Sequence, residues 1–421
     1  MAVTRSAAAS WLPMNNNVPQ PPPARPAVGF ERHSQSCYLS GMATSDTPRF
    51  RLLNLSIQDF RGIDSLKLDF TDGNGDPIGL AVIAGSNGCG KTSVLEAILL
   101  LLGQDDLLPV DAAPETEQVR FGAKRFAVTA SLKAINDDET PEWTAHYRTR
   151  VQEVDGKNLG ISPGRQFDPR LRFTWAQPPD MLGLPLPQVE YFSARREPEE
   201  LGATPGPQGA RSKTESRRLV ELKRRLVSTY YRSLRSAKLG VPMQVATPFA
   251  KLQRLWSRFS DSDQTLDVIP VSNDPGSGDE VVVRDAKLPI PDDVTSLAQA
   301  RLLAQSRTDI PRMVPLDRLS SGQIALLTFA GPLVFRDQPA DIVLIDEPEQ
   351  HLHVQWQLHL MPALRELSPH TQFIVATHSI EILEAALSYE RFILVRDDDP
   401  RAAVDGDAAE PSSDAKVEPT P

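Results

Sequence analysis

The stretch Leu80-Ala81-Val82-Ile83-Ala84-Gly85-Ser86-Asn87-Gly88-Cys89-Gly90-Lys91-Thr92-Ser93 decides the fold. Leu80 to Ile83 is wholly apolar, which predicts a buried, central strand. Gly85 to Thr92 fits G-x-x-x-x-G-K-[ST] at every fixed position, and the next apolar run reads as a helix from Ser93 to about Leu102. A buried strand, a glycine-rich turn and a helix in that order make a phosphate cradle. Glycine lets successive backbone N–H groups close around phosphate oxygens, and the helix N-terminus adds a favourable dipole. Lys91 is expected to reach the β- and γ-phosphates and Thr92 to ligate Mg²⁺. The nucleotide-binding set predicted here is Gly85, Ser86, Asn87, Gly88, Cys89, Gly90, Lys91, Thr92 and Ser93. Cys89 stands at a variable position, so its side chain is expected to be incidental.

A second stretch, Asp341-Ile342-Val343-Leu344-Ile345-Asp346-Glu347, supplies the carboxylates such a cradle needs. Its apolar centre predicts another buried strand of a parallel sheet, with two carboxylates at its C-terminal end, beside the phosphate loop. Asp346 is expected to hold Mg²⁺ through water, and Glu347 to polarise the attacking water as general base.

Two further motifs carry a family resemblance. Leu319-Ser320-Ser321-Gly322-Gln323 resembles the signature motif of ABC-type ATPases, with Ser321 where the usual form has a second glycine. Ala376-Thr377-His378-Ser379, after the apolar run Gln372 to Val375, resembles the switch histidine of that family. Ile57-Gln58-Asp59-Phe60-Arg61-Gly62-Ile63 and Asp346-Glu347-Pro348-Glu349-Gln350-His351-Leu352-His353 are similar to the RecF/SMC/OLD branch, which includes ATP-binding proteins of anti-phage and abortive-infection systems. In that branch a proline commonly comes after the second histidine; here Val354 stands there.

The resemblance implies an α/β fold: a P-loop ABC-type ATPase head with an antiparallel β edge and an inserted, largely helical lobe. It implies ATP and Mg²⁺ as ligands, Lys91, Glu347 and His378 as catalytic groups, and Arg61 near the nucleotide. It also implies that Ser320, Ser321, Gly322 and Gln323 contact the γ-phosphate held by a second, head-to-tail copy of the chain. Helix N-termini are anion sites, so serines and a glycine there suit that task. The glutamine that the family carries between its lobes has no counterpart at the end of Val189-Glu190-Tyr191-Phe192-Ser193-Ala194-Arg195-Arg196; Arg195 or Arg196 is the expected substitute. OLD-type nucleases carry a nuclease domain after the switch histidine. The segment after His378 in this sequence is short and mostly acidic, so nuclease activity is expected in a separate effector chain rather than in this one.

The remaining sequence sets limits. The chain has 421 residues and a formal charge of −10, which argues against a protein coated in nucleic acid through overall charge and leaves only a local basic patch. Its two cysteines, Cys37 and Cys89, are too few for a disulfide scaffold or a cysteine zinc site and suit a reducing, cytoplasmic location. No apolar run reaches the roughly 18 residues that span a bilayer, so no membrane partner is expected. Residues 1–47 read as disordered, with Met42 as a candidate alternative start. The ATPase core is expected over 48–110 and 312–396, a β and helical insertion over 111–311, and an acidic disordered tail over 397–421.

Phe50 to Ile57 and Ser65 to Phe70 alternate as paired strands. Residues 125–151 alternate as antiparallel β, 211–259 read as helices, and 264–291 as a hairpin turning at Asn273-Asp274-Pro275-Gly276. Within 211–259, basic residues far outnumber Glu215 and Glu221, and Lys223-Arg224-Arg225, Arg232 and Arg235 recur with Tyr230, Tyr231 and Trp256 interleaved. DNA is the expected partner of that segment. His351, His353 and Glu349 are not expected to hold a metal, because residues two apart do not share a helix face. Two other functions remain open on sequence alone: the ATPase subunit of a membrane transporter, and an idle nucleotide-binding scaffold.

Overall fold

The computed structural model describes residues 49–104, 107–108, 118–135, 142–154, 157–167, 187–194, 215–238, 248–260, 263–336 and 339–395. Met42, Arg195, Arg196 and the acidic tail lie outside them.

The mainly apolar runs form a parallel sheet whose central strands are buried on both faces. Its strands are β3 (Leu80–Gly85), β7 (Val189–Phe192), β11 (Ile342–Asp346), β12 (Gln372–Thr377) and β13 (Arg391–Leu394), in the order β13-β3-β12-β11-β7. Every adjacent pair is parallel, with Ile345 opposite Val375 and Val375 opposite Val82. The Asp346 strand is therefore not the immediate neighbour of the phosphate-loop strand: β12, which ends just before His378, is inserted between them.

The alternating segments form a sheet of their own rather than an extension of the parallel one. β1 (Phe50–Phe60), β2 (Ile63–Asp69), β4 (Ala127–Ala134), β5 (Trp143–Val154) and β6 (Lys157–Phe167) pair antiparallel in the order β2-β1-β4-β5-β6. β4 shows a strict inside–outside alternation, the mark of a sheet with one face on a core. The predicted hairpin is β8 (Gln264–Pro270) and β9 (Asp279–Asp285), completed by the short β10 (Val314–Pro315).

The period-two geometry of the parallel strands divides the interior in two. Ala81, Ile83, Leu344, Ile374 and Tyr191 face one core, shared with the antiparallel sheet and with helix α1 (Lys91–Leu101). Leu80, Val82, Val343, Ile345, Phe373 and Phe192 face the other. That second core is closed by α2 (Glu215–Lys238), α3 (Pro248–Phe259), α5 (Ser321–Phe335) and α6 (Val354–Leu367). Two shorter α-helices are α4 (Leu297–Leu303) and α7 (Ile380–Glu384). Helices α1 and α5 thus lie on opposite faces of one sheet.

Gln372 joins the two sheets. Fully buried on β12, its amide accepts from Leu52 N at 2.8 Å and donates to Leu52 O at 3.0 Å and Ile78 O at 3.1 Å. A buried glutamine persists because its polar atoms find partners. Among the described residues no helix is long and apolar enough to cross a membrane.

Candidate nucleotide site

The phosphate-loop sequence adopts the turn its glycines permit. Gly88 and Gly90 have φ of 79° and 96°, left-handed values that a side chain makes costly. Gly90 is the residue before α1, and a Cβ there would come within 3.0 Å of the Ile63 side chain, so β2 backs the loop directly. Lys91 is buried; its Nζ donates to Gly85 O at 3.0 Å and Ser86 O at 3.1 Å and lies 3.4 Å from His378 Nδ1. The ammonium therefore sits in the mouth of the loop, holding carbonyl oxygens whose place phosphate oxygens can take. Cys89 Sγ is 3.9 Å from Lys91 Nζ and half-buried.

Thr92, one residue into α1, donates its hydroxyl to Asp346 Oδ2 at 2.9 Å. A hydroxyl and a carboxylate from two elements meeting at one point are hard oxygen donors of the kind Mg²⁺ takes. The residues present therefore fit that ion. The contact spans β12, which shows that α1 rather than strand adjacency brings Thr92 to the carboxylate.

Glu347 comes directly after Asp346 with φ of 46°, a left-handed conformation uncommon for a residue with a Cβ and costing on the order of 1 kcal/mol or more. Its N–H still donates to Ala376 O at 2.8 Å, so the backbone leaves the sheet immediately after this bond. The carboxylate lies 3.7 Å from His378 Nε2 and accepts from Gln350 Nε2 at 2.6 Å. Lys91, His378, Glu347 and Gln350 thus form one continuous set of contacts. Sequence reasoning assigns no catalytic task to Glu349 or Gln350; their contacts join a tight turn to its own start and to a loop far along the chain.

Arg61 pairs with Glu96 of α1 and lies over the Phe60 ring, 5.1 Å from its centroid. Burial, together with Asp346 and Glu96, pushes the Tyr191 hydroxyl well above its ordinary pKa, and Arg61 acts in the opposite sense. The Arg61–Glu96 pair, Tyr191 and Asp346 therefore share one electrostatic neighbourhood beside α1.

The signature-like stretch opens α5. Ser320 is the N-cap, and it forms a reciprocal capping box with Gln323: Gln323 N donates to Ser320 Oγ at 3.3 Å and Ser320 N donates to Gln323 Oε1 at 3.0 Å. Ser320 and Ser321 are both exposed, whereas Gly322 is buried against His351 and Leu352. Within one chain the signature residues thus touch the turn after β11, on the face of the sheet opposite α1.

The basic segment is not a continuous cationic face. Arg218 is bonded to Glu190 and Tyr191 O, Lys223 to Glu280 and Asp317, and Arg225 to Glu221 and Phe335 O. Burial works against the Lys223 charge, but Asp317 and Glu280 hold its pKa above the usual lysine value. Arg224 and Arg225 press the Glu221 carboxyl down to about 2. Trp256 is 1% exposed and belongs to the core, and Tyr230 packs on Phe249 with ring centroids 6.1 Å apart. The solvent-facing cations include Arg232 and Arg235 on α2 and Lys251 and Arg254 on α3, with Arg258 paired to Glu366. His353 caps α6, its Nδ1 accepting from Gln355 N at 3.4 Å.

Two family profiles match separate stretches of the chain. Residues 54–159 match an AAA domain, and residues 279–384 match a profile described as "AAA domain, putative AbiEii toxin, Type IV TA system". The Septu protein PtuA of Bacillus mycoides (strain KBAB4) is 22% identical over 83% of this chain and 41% of its own length. The DNA replication and repair protein RecF of Anaeromyxobacter dehalogenans (strain 2CP-1 / ATCC BAA-258) is 34% identical over 26% of this chain and 27% of its own. The chain carries an AAA-type P-loop ATPase domain similar to that of RecF. It spans less than half the length of these curated relatives. A solved SMC head bound to the C-winged helix domain of ScpA superposes with a TM-score of 0.48 at 17% identity, covering 80% of this chain and 91% of that one. In this chain, the loop from Gly85 to Thr92 and the Asp346–Glu347 pair stand at the C-terminal ends of parallel strands, where open α/β sheets place their ligands.

Proposed function

We propose that the chain binds and hydrolyses ATP with Mg²⁺, closes head-to-tail with a second copy over the nucleotide, and so acts as a switch on DNA or on a separate effector such as a nuclease, in genome maintenance or phage defence. The observation that carries the reading is the convergence of Lys91, Thr92, Asp346, Glu347 and His378 at one end of the parallel sheet. Thr92 and Asp346 would hold Mg²⁺, which supplies charge neutralisation on the phosphate oxygens. Lys91 exchanges the carbonyls of Gly85 and Ser86 for phosphate oxygens. Glu347 accepts the proton of the attacking water, and His378 stands between it and Lys91.

The second half of the reading rests on α5. Because Ser321 is exposed at a helix N-terminus on the face opposite α1, its anion-binding groups are free to serve a nucleotide held by another copy. Loss of the γ-phosphate then removes a ligand shared by two chains, and the population shifts towards monomer. The test is ATP turnover and gel filtration of the wild type with and without ATP. Turnover without an ATP-dependent dimer removes the switch; a dimer without turnover leaves a nucleotide-binding scaffold. Co-purification with a membrane permease would favour a transporter subunit.

DNA, if it is the object of the switch, meets the solvent-facing cations alone. Reversing Arg232, Arg235, Lys251 and Arg254 to Glu is expected to lower affinity for duplex DNA about tenfold or more and flatten its salt dependence, since each phosphate contact contributes a slope of about −0.9. Fluorescence anisotropy over a salt series reads both. Unchanged affinity assigns DNA contact elsewhere. Lys223 is a poor choice for this test, because its replacement breaks two internal ion pairs.

A further inference from the structure

We propose that Glu349 is a positioning residue that sets His378 against the phosphate loop. The proposal deepens the hydrolysis reading and rests on it. Glu349 lies two residues past Glu347, in a turn that includes His351 at φ of 68°. Its carboxylate reaches across to the chain leaving β12: Oε2 accepts from Thr377 Oγ1 at 2.7 Å and Oε1 from His378 N at 2.6 Å. The Thr377 hydroxyl in turn accepts from Ser379 N at 2.9 Å. Three consecutive residues around the histidine are thus tied, directly or at one remove, to a single side chain.

The imidazole's own contacts are too long to fix it. Nδ1 is 3.4 Å from Lys91 Nζ and Nε2 is 3.7 Å from Glu347 Oε1, whereas both Glu349 bonds are short. Bonds from N–H and O–H to an ionised carboxylate are roughly twice as strong as neutral ones. The main chain under His378 is therefore held more firmly than its ring, and the ring goes where the backbone sends it. The neighbouring residue does the complementary task, since Gln350 bonds Glu347 at 2.6 Å. One turn fixes both the base and the histidine. Glu349 touches neither phosphate loop nor Mg²⁺ ligand in the described contacts, so it acts through His378.

The test compares Glu349→Ala and Glu349→Gln with the wild type, after thermal melts confirm that each folds. Hydrogen exchange of the nucleotide-free protein reads the clamp without any activity. Protection of the His378 amide is expected to fall at least about tenfold in Glu349→Ala while β11 amides keep theirs; equal protection overturns the clamp. In turnover, kcat is expected to drop about 10–100-fold in Glu349→Ala, the range for outer partners of active-site groups, with KM for ATP within about twofold. Glu349→Gln, keeping one acceptor oxygen, should fall between. Adding Glu349→Ala to His378→Ala should slow the enzyme no further, because residues acting through one another are non-additive. Fully additive losses would assign Glu349 a merely structural role. Should wild-type turnover prove independent of Glu347, the hydrolysis reading fails, while the exchange measurement still decides whether the clamp exists.

Discussion

Glu347→Gln is expected to reduce ATP turnover by about 10²–10⁴-fold, the contribution of a general base, and to leave nucleotide binding intact. Three features set that expectation. The substitution is isosteric and the site is half-open, so packing is preserved. Lys91, Thr92 and Asp346, the groups aimed at phosphate and Mg²⁺, keep their own contacts. Gln350 still finds an acceptor, because the new amide retains one oxygen for the donor now bonded to Glu347 Oε2. Only the capacity to take a proton disappears. Binding without hydrolysis should then accumulate the closed form, visible as a dimer on gel filtration with ATP and a monomer without it. Equal, negligible rates in wild type and variant would mean that no base operates here, and the chain would be a scaffold. A wild-type rate that survives in Glu347→Gln would place the base on another residue.

Much of this site is legible in local sequence because its motifs are local. Glycines in a loop, a lysine and a threonine at a helix start, and two acids after an apolar strand each state their chemistry within a few residues. Whatever depends on distant pairing is not legible in that way. Strand order is an example: β12 stands between the Asp346 strand and the phosphate-loop strand, and nothing in Ile342 to Asp346 records which strand arrives beside it. The basic segment is a second. Its charge count is correct, but the packing of α2 on β9 and α5 places Lys223 beside Glu280 and Asp317 and Arg225 beside Phe335 O, acceptors far along the chain. Trp256 is a third, since an amphipathic helix with an aromatic residue reads alike whether the ring meets a base or a core. The tasks of Glu349 and Gln350 are hidden for the same reason. Two polar residues in a turn carry no pattern until Thr377 and His378 are folded against them.

Gly322→Ala is expected to damage both stability and turnover, and the reason lies in what the signature helix touches. A Cβ on Gly322 would stand 2.6 Å from the carbonyl oxygen of His351 and 3.7 Å from Leu352 Cα, the first closer to backbone than a real methyl group comes. Neither partner yields cheaply. His351 already occupies a left-handed conformation, Leu352 is buried, and α5 is pinned by its capping box and by a helix body buried almost throughout. Overpacking of this kind costs about 1–3 kcal/mol, which lowers Tm by roughly 2–4 °C per kcal/mol in a large domain. The strain has one outlet, the turn from Glu347 to Leu352, and that turn carries the carboxylate, its Gln350 partner and the Glu349 clamp. Turnover should therefore fall by more than the melting shift explains, on the order of tenfold or more, since misplacing reacting groups by about 1 Å can cost 10²-fold. Ser321→Ala supplies the contrast. Its side chain is exposed, so Tm should not move, while the ATP-dependent dimer should weaken if the helix N-terminus meets a partner's nucleotide. A Gly322→Ala protein with wild-type melting and turnover would show that α5 and the turn are not held together in solution. A Ser321→Ala protein that dimerises as readily as wild type would take the signature out of the interface and leave its contact with the turn as its whole role.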